Sequence, residues 1–388
     1  MDRPWYRSFE WSLAIACFLI TLIGIVCIHS ATYHDAAAAS EAKKQSVYAL
    51  LGLGLMAGFA FVDYRRWQRW ALPLYVVMLI LLAFILFKGN TAHGAVRWIA
   101  LGPFQFQPSE PAKLIIAVTI AALLARGTYA RIQDLFVPLL VVAVPALLVL
   151  KQPDLGTTLV LLAILTAQLY FGVANVLDFA IYLVTGVVAA TYVITSEKIL
   201  KPFQKARLLV FLDPKLDPQG AGYSLNQSKI AVGNGGLFGK GLYHGTQTQL
   251  NFVPEHSTDF IFTVLGEELG FLGAFVLLAL YAIVIVGGVR AMYSARDRFG
   301  FLLAAGLVAM IFFHILVNVG MTIGIMPITG IPLPFMSYGG SAILTDYAAV
   351  GILLNIAMQR DRLIFEQTGE PERPRIGRKP LAARALVR

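Results

Sequence analysis

Apolar runs of about 20 residues recur along this sequence, the first starting at Trp11 and the last ending near Met358. A helix of that length crosses the hydrocarbon core of a bilayer, which is about 30 Å thick. Of the 388 residues, 58% are hydrophobic and only 14% are charged, and this balance excludes an ordinary soluble domain. The sequence therefore predicts an all-α polytopic membrane protein, with a single membrane domain over residues 1–388.

The runs predict ten transmembrane helices. Their approximate limits are 11–30, 46–62, 71–88, 110–126, 134–150, 155–172, 175–195, 260–289, 300–325 and 336–358. Helices seven and eight are separated by a large segment, 196–259, rich in Gly, Pro, Gln and Asn. Connections of this length are usually functional or disordered. Within it, GNGGLFGKG (233–241) lacks the spacing of a phosphate-binding loop and is expected to be a flexible loop.

The distribution of basic residues predicts the orientation. One set of short loops is rich in arginine: Arg3, Arg7, Arg65, Arg66, Arg69, Arg126, Arg131, Arg290, Arg296 and Arg298. Such loops usually face the cytoplasm, which places both termini inside and segment 196–259 outside. The basic tail 360–388 is then cytoplasmic, and its composition is typical of a disordered segment. Basic residues near the inner leaflet explain most of the positive charge behind the +9 net value, so no nucleic-acid partner is expected.

The cysteines and the histidines indicate no redox or metal motif. Cys17 and Cys27 lie ten residues apart in one predicted helix, about 15 Å, which is too far for a disulfide. His256 has no second His or Cys at metal-ligand spacing. No organic cofactor is expected, and no metal ligands are identified.

The stretch VPEHSTDFIF (253–262) places acidic residues directly against an apolar run. Thr258 or Asp259 could cap the helix that follows, which is a purely structural role. Alternatively, burial beside Phe260 and the nearby carboxylates of Glu267 and Glu268 would raise the pKa of Asp259, as a general base requires. The residues alone leave both interpretations open.

Three further stretches combine charge with helix-breaking residues. In RWIALGPFQFQPSEPAKL (97–114), Glu110 and Lys113 have the i,i+3 spacing of an ion pair, and Arg97 and Trp98 precede them. In KQPDLGT (151–157), Asp154 is either a helix cap or a functional carboxylate beside the membrane. The stretch NVGMTIGIMPITGIPLPFMSYGGSA (318–342) predicts an unwound element that faces an internal cavity.

Several of these blocks, in order, resemble the SEDS (shape, elongation, division, sporulation) membrane proteins of bacterial cell-wall synthesis. The blocks are RWIALGPFQFQPSEPAK, KQPDLGT, VPEHSTDFIFTVLGEELG and GIPLPFMSYGG, and the resemblance covers nearly the whole chain. KQPDLGT and NVGMTIGIMPITGIPLPF look more like the elongation members than the division members. The resemblance implies a peptidoglycan glycosyltransferase that polymerises lipid II at the outer face of the bacterial plasma (inner) membrane, for cell elongation and rod shape.

The resemblance also implies partners and site residues. A class B penicillin-binding protein would supply transpeptidase activity, together with other proteins of the elongation complex. Asp259 would be catalytic, although this chain reads HSTDF where similar proteins more often read QHTDF or AHTDF. Substrate-binding residues would be Arg97, Trp98, Glu110, Lys113, Asp154, His256 and Ser337.

The leaving diphosphate must be neutralised, and Arg97, Lys113 or a divalent cation (Mg²⁺ or Mn²⁺) would do this. Two alternatives to a polymerase are a lipid II flippase and a non-catalytic scaffold for a penicillin-binding protein. Broken helices and cations facing a diphosphate would suit a flippase, but no inverted repeat is evident in the sequence. A scaffold would tolerate Asn or Ser at position 259.

Overall fold

The structure is a computed structural model that describes residues 9–34, 38–88, 90–92, 95–101, 104–127, 129, 131–173, 175–196 and 200–359. The predicted disordered tail, 360–388, lies outside the described residues. So do Arg3 and Arg7 of the predicted cytoplasmic set.

Ten long helices match the ten predicted segments. They are α1 (Trp11–Ala31), α2 (Glu41–Phe61), α3 (Arg65–Lys88), α4 (Ser109–Arg126), α5 (Phe136–Lys151), α6 (Leu155–Gly172), α7 (Val176–Thr195), α11 (Ile261–Ser294), α12 (Arg298–Ile323) and α13 (Gly340–Met358). Within the described residues, nine are long and apolar enough to cross a membrane. The tenth, α4, carries three charged side chains and is largely buried among the others.

The shorter elements are a three-stranded antiparallel sheet and a group of small helices. Strands β1 (Asn90–Ala92), β2 (Ala95–Leu101) and β3 (Phe104–Phe106) pair in sequence order between α3 and α4. Helices α8 (Pro202–Leu209), α9 (Ala221–Asn234) and α10 (Thr246–Gln249) lie between α7 and α11. Two short 3₁₀ helices are Ile132–Leu135 and Pro214–Leu216.

Helix α13 is the centre of the bundle and packs most extensively against α2. Glycine makes this approach close, because a Cβ on Gly52 would lie 2.4 Å from the ring of Tyr347. At the opposite extreme, α7 is almost wholly exposed and contacts mainly α6. Cys17 and Cys27 are free and buried in α1, as their spacing predicted.

Segment 196–259, which the sequence predicts as a large loop between helices seven and eight, contains α8, α9 and α10 and packs on the helix bundle. Val210, Leu225 and Val253 form a second apolar core with Met321 of α12 and with Ile328, which follows that helix. Ser228 of α9 bonds to Thr263 in α11 and to the backbone of α12, at 2.8 Å in each case. Val210, Leu225 and Val253 therefore act as core positions of this segment.

The prediction that GNGGLFGKG is flexible is wrong. A Cβ on Gly235 would lie 1.9 Å from the Gly266 carbonyl oxygen, and one on Gly239 would lie 2.1 Å from the Glu268 carbonyl oxygen. The glycines therefore permit backbone-to-backbone packing against α11. This packing coincides with a kink in α11, where Gly270 has φ +64°.

The predicted unwound element is present between α12 and α13. Helix α12 ends at Ile323, followed by Gly324 in the left-handed region, and α13 begins only at Gly340. Side chains from the surrounding helices satisfy its backbone: Asn318 donates to the Ile331 carbonyl (2.7 Å), and Gln45 donates to the Ser337 carbonyl (2.9 Å). Such bonds replace the water that is absent at membrane depth.

Candidate active site

A polar cavity of about 550 Å³ lies where the sheet, the unwound element and segment 196–259 meet. Its chemically active wall residues are Glu41, Lys44, Tyr48, Arg97, Trp98, Gln107, Glu110, Lys113, Arg207, Glu255, Asp259, His314 and Tyr338. Five of the eight residues that the sequence indicated are therefore brought together: Arg97, Trp98, Glu110, Lys113 and Asp259.

Asp259 lies just before α11 and faces the cavity. The residue at the helix N-cap is Phe260, and no side chain caps this helix end, so the capping alternative for Thr258 and Asp259 is wrong. Asn318 holds the main chain here by donating to the Asp259 carbonyl at 2.8 Å. The Asp259 carboxylate is thereby left to face the cavity rather than the helix.

Burial raises the pKa of Asp259 to about 6. The Arg207 guanidinium opposes that rise, and the carboxylate of Glu255 adds to it. Smaller effects come from Arg97, which lowers the pKa of Asp259, and from Asp154, which raises it. A carboxyl group with this pKa is mostly ionised at neutral pH yet still basic enough to accept a proton.

The neighbouring carboxylates expected from the sequence, Glu267 and Glu268, are not the ones that act on Asp259. Glu267 is fully buried and accepts bonds from the Thr248 backbone N–H (3.1 Å) and hydroxyl (2.9 Å), and pairs with Lys240 (3.2 Å). Glu268 accepts from the Ser30 hydroxyl at 2.7 Å. Glu267 therefore anchors the chain around α10 to α11, and Glu268 joins α11 to the end of α1.

The predicted ion pair between Glu110 and Lys113 is confirmed. Lys113 Nζ lies 2.8 Å from Glu110 Oε2, and both side chains are buried. Lys113 also donates to His314 Nε2 at 3.0 Å, while His314 Nδ1 lies 2.6 Å from the Met310 carbonyl and donates to it. The Lys113 ammonium therefore connects the first turn of α4 to the middle of α12.

Arg97 of β2 is bound to the turn between α5 and α6. Its guanidinium donates to the carbonyls of Gln152 (3.1 Å) and Pro153, and lies 4.0 Å from the Asp154 carboxylate. Asp154 caps α6 by accepting from the Thr157 N–H at 3.1 Å, which confirms the structural role considered from the sequence. The Asp154 side chain supports the cavity wall without lining it.

His256 and Ser337 also lie behind the wall. The His256 ring bonds through Nδ1 to the Val253 carbonyl at 3.0 Å. The Ser337 hydroxyl donates to the Thr258 carbonyl at 2.6 Å and accepts from the Leu333 N–H at 2.8 Å. Ser337 therefore joins the unwound element to the segment that carries Asp259, and direct contact of either residue with a substrate remains a prediction.

Sequence reasoning missed Arg207, Lys44, Glu255 and Gly330 as parts of this site. Arg207 lies in the amphipathic stretch KPFQKARLLVFL, and that amphipathicity was the signal that the stretch packs on the protein. Gly330 has φ +70°, and a Cβ there would lie 3.1 Å from Asp259 Oδ2 and 3.5 Å from Arg207 Nη1. Only glycine leaves this space between the two side chains free.

These features define a class: a multi-pass helical membrane protein in which a broken helix and a folded segment between α7 and α11 enclose an acid-containing polar cavity. Within that class, the chain belongs to the SEDS family. The family model described as "Cell cycle protein", which covers FtsW, RodA and SpoVE, matches residues 10–362.

Relatives and solved structures agree with this assignment. The peptidoglycan glycosyltransferase MrdB of Escherichia coli K12 is 40% identical over 316 residues, covering 81% of this chain and 84% of that protein. A chain from a peptidoglycan synthase complex matches with a TM-score of 0.77 and 32% identity, over 91% of this chain and 98% of that one. The rod shape determining protein RodA of Thermus thermophilus matches with a TM-score of 0.66 and 30% identity, over 91% and 97% respectively.

Proposed function

We propose that this protein is a peptidoglycan glycosyltransferase that polymerises lipid II into β-1,4-linked glycan strands, for cell elongation and rod shape. The observation that carries the proposal is Asp259: a carboxylate with a pKa near 6, free of any capping role, on the wall of a polar cavity. The names of the similar proteins, MrdB among them, support the same activity.

In the proposed reaction, Asp259 accepts the proton of the sugar 4-hydroxyl of one lipid-linked disaccharide. The hydroxyl oxygen bonds to the anomeric carbon of a second, while the bond from that carbon to the diphosphate breaks and its electron pair leaves with the diphosphate. An α-linked donor that gives a β-linked product requires inversion, with base and leaving group on opposite faces. A positioned base contributes roughly 10²–10⁴-fold to such a rate.

We place the cavity at the outer membrane surface because basic turns gather at the other end of the bundle. Arg298 donates to the Gly127 carbonyl (3.1 Å) and the Gly172 carbonyl (2.7 Å), which joins the turns that end α4 and α6. Tyr64, between α2 and α3, donates to Asp297 at 2.9 Å in the same region. By the distribution of arginine, this end and both termini are cytoplasmic, and segment 196–259 is extracytoplasmic.

A divalent cation, Mg²⁺ or Mn²⁺, belongs to the proposal as an aid to the leaving diphosphate. No group of three or more His, Cys, Asp or Glu with metal-site geometry occurs within the described part of the chain. Such an ion would therefore take most of its ligands from the diphosphate and from water. The ion would neutralise negative charge on the diphosphate, and Asp259 would still accept the proton.

The proposed partner is a class B penicillin-binding protein, together with other proteins of an elongation complex. The similarity to a chain from a peptidoglycan synthase complex supports such a partner. Helices α11 and α12 are the proposed contact region, and α11 offers an exposed apolar surface that includes Phe271, Phe275 and Val276.

The test uses purified protein, with and without its penicillin-binding protein, given labelled lipid II and Mg²⁺ or Mn²⁺ while transpeptidation is blocked. Wild type should form long glycan, and folded Asp259→Asn should form none. Lipid II movement across vesicles without glycan would favour a flippase, and neither activity would favour a scaffold. Glycan from Asp259→Asn at the wild-type rate would remove the base from this mechanism.

A further inference from the structure

Four cationic side chains line the cavity: Lys44, Arg97, Lys113 and Arg207. Whether each of them can bind an anion depends on the protein groups that it already contacts. A cation already bonded to protein groups contributes little further attraction, because the partner has neutralised its field.

Two of the four are already engaged. Lys113 is buried between the carboxylate of Glu110 and the ring of His314, at 2.8 and 3.0 Å. The Arg97 guanidinium donates to two backbone carbonyls and lies 4.0 Å from Asp154. Both cations therefore hold the cavity wall together.

The other two have no such partner. Among the residues that the structure describes, neither the Arg207 side chain nor the Lys44 side chain forms a hydrogen bond or a salt bridge. Arg207 is half-buried and Lys44 is exposed at the edge of the cavity. The half-buried Arg207 guanidinium interacts electrostatically with the Asp259 carboxylate, but among the described residues its N–H groups have lost water without gaining an acceptor, and a ligand would supply those contacts.

The position of Arg207 is fixed by the fold. Helix α8 is held by the Gln204 side chain, which accepts from the Lys201 N–H at 2.9 Å, and by Val210, which is buried in the second core. The tip of Arg207 and the carboxylate of Asp259 approach the same point beside Gly330, at 3.5 and 3.1 Å, yet form no ion pair. The guanidinium thus faces the space beside the reacting groups.

Lys44 approaches from another element. It lies in the first turns of α2, one helical turn before Tyr48, which also lines the cavity. Its neighbour Lys43 is also exposed but does not line the cavity.

The carboxylates on the wall that would oppose an anion are Glu41, Glu110, Glu255 and Asp259. Of these, Glu110 is already paired with Lys113.

We infer that Arg207 and Lys44 bind the diphosphate of the lipid-linked donor, while Arg97 and Lys113 position the wall. This inference rests on the proposed function. When the bond from the anomeric carbon to the phosphate oxygen breaks, the diphosphate gains one negative charge. Cations that contact it therefore stabilise the transition state more than the bound substrate. The planar guanidinium of Arg207 suits two phosphate oxygens at once, and the ammonium of Lys44 acts as a point charge.

The experiment measures binding and turnover separately on the full-length protein. The variants are Arg207→Gln, Arg207→Lys and Lys44→Gln, and the matched controls are Lys205→Gln on the same helix and Lys43→Gln beside Lys44. Calorimetry gives the Kd of inorganic pyrophosphate, orthophosphate and undecaprenyl diphosphate, and glycan formation gives kcat and KM. The lipid and the free anion are thereby distinguished as ligands.

We expect Arg207→Gln to raise the Kd of pyrophosphate and undecaprenyl diphosphate about 10- to 100-fold, as loss of a charged hydrogen bond implies. The Kd of Arg207→Lys should lie between those of wild type and Arg207→Gln. Lys44→Gln should lose less affinity than Arg207→Gln, and the two controls should bind as tightly as wild type. Orthophosphate should bind more weakly than pyrophosphate because it spans only part of the site.

Several results would overturn the inference: no diphosphate binding to wild type, variants equal to their controls, or loss of binding in Arg97→Gln but not in Arg207→Gln. An Arg207→Gln variant that only shifts the pH profile would mean that Arg207 serves Asp259, and it would also overturn the inference. Diphosphate binding that depends on Arg207 in a protein without polymerase activity would instead refute the proposed function and leave this site standing.

Discussion

Gly330→Ala tests whether the space between Asp259 and Arg207 matters for catalysis. The new Cβ would lie 3.1 Å from Asp259 Oδ2, about 0.4 Å closer than a comfortable contact, so the carboxylate must move. If a displacement of 1 Å costs about 10²-fold in rate, this smaller one costs roughly 5- to 10-fold. The φ of +70° adds a loss of stability of about 1–2 kcal/mol.

The matched control is Gly236→Ala. Gly236 also has a positive φ, +56°, but a Cβ there would meet nothing within 4 Å. It therefore introduces the backbone strain without the contact on Asp259. Glycan synthesis from lipid II, expressed per folded protein, and Tm in detergent separate the two effects. Equal rates for Gly330→Ala, Gly236→Ala and wild type would refute the argument that this gap positions the base.

Three other predictions follow from the same contacts. Because the base must be ionised, kcat should rise about tenfold per pH unit below pH 6 and level off above it; a profile flat from pH 5 to 8 would contradict Asp259 as the base. Because burial raises the pKa of Asp259 from 3.8 to about 6, the ionised carboxylate destabilises the folded protein above pH 6. Asp259→Asn should therefore raise Tm at pH 8. This increase in Tm should become smaller as the pH falls from 6 towards 4, where the wild-type carboxyl group is protonated in the folded protein. Lys113→Met should lower the free energy of unfolding by roughly 3–5 kcal/mol, because it leaves the Glu110 carboxylate buried without its partner. In a double-mutant cycle, adding Glu110→Gln to Lys113→Met should restore most of the lost stability.

The helices could be predicted from the sequence because each depends on local composition. The ten apolar runs coincide with the ten long helices, and α12 ends close to where glycine and proline begin to recur. The Glu110–Lys113 pair and the Asp154 cap were also predictable, because i,i+3 geometry and helix capping involve residues only three positions apart.

The surroundings of Asp259 could not be predicted in the same way. Arg207 and Gly330 lie far from it in sequence, on either side, and only the packing of α8 and of the unwound element brings them to the carboxylate. The nearby acids Glu267 and Glu268 misled the prediction for the opposite reason. They are close in sequence, but Glu267 faces the chain around α10 and Glu268 faces Ser30 of α1.

Segment 196–259 is therefore a structural part of the site. It contributes Arg207 from α8 and Asp259 from its last residue, and the buried Glu267 binds the Thr246 to Thr248 turn within it. A site that spans this segment and the membrane helices is complete only when the segment is docked. Disturbing the Glu267 anchor should consequently weaken both diphosphate binding and proton transfer, although Glu267 touches neither reacting group. Glu267→Ala should expose the chain around α10 to protease and lower kcat in parallel, and protease sensitivity without loss of rate would show that docking and catalysis are independent.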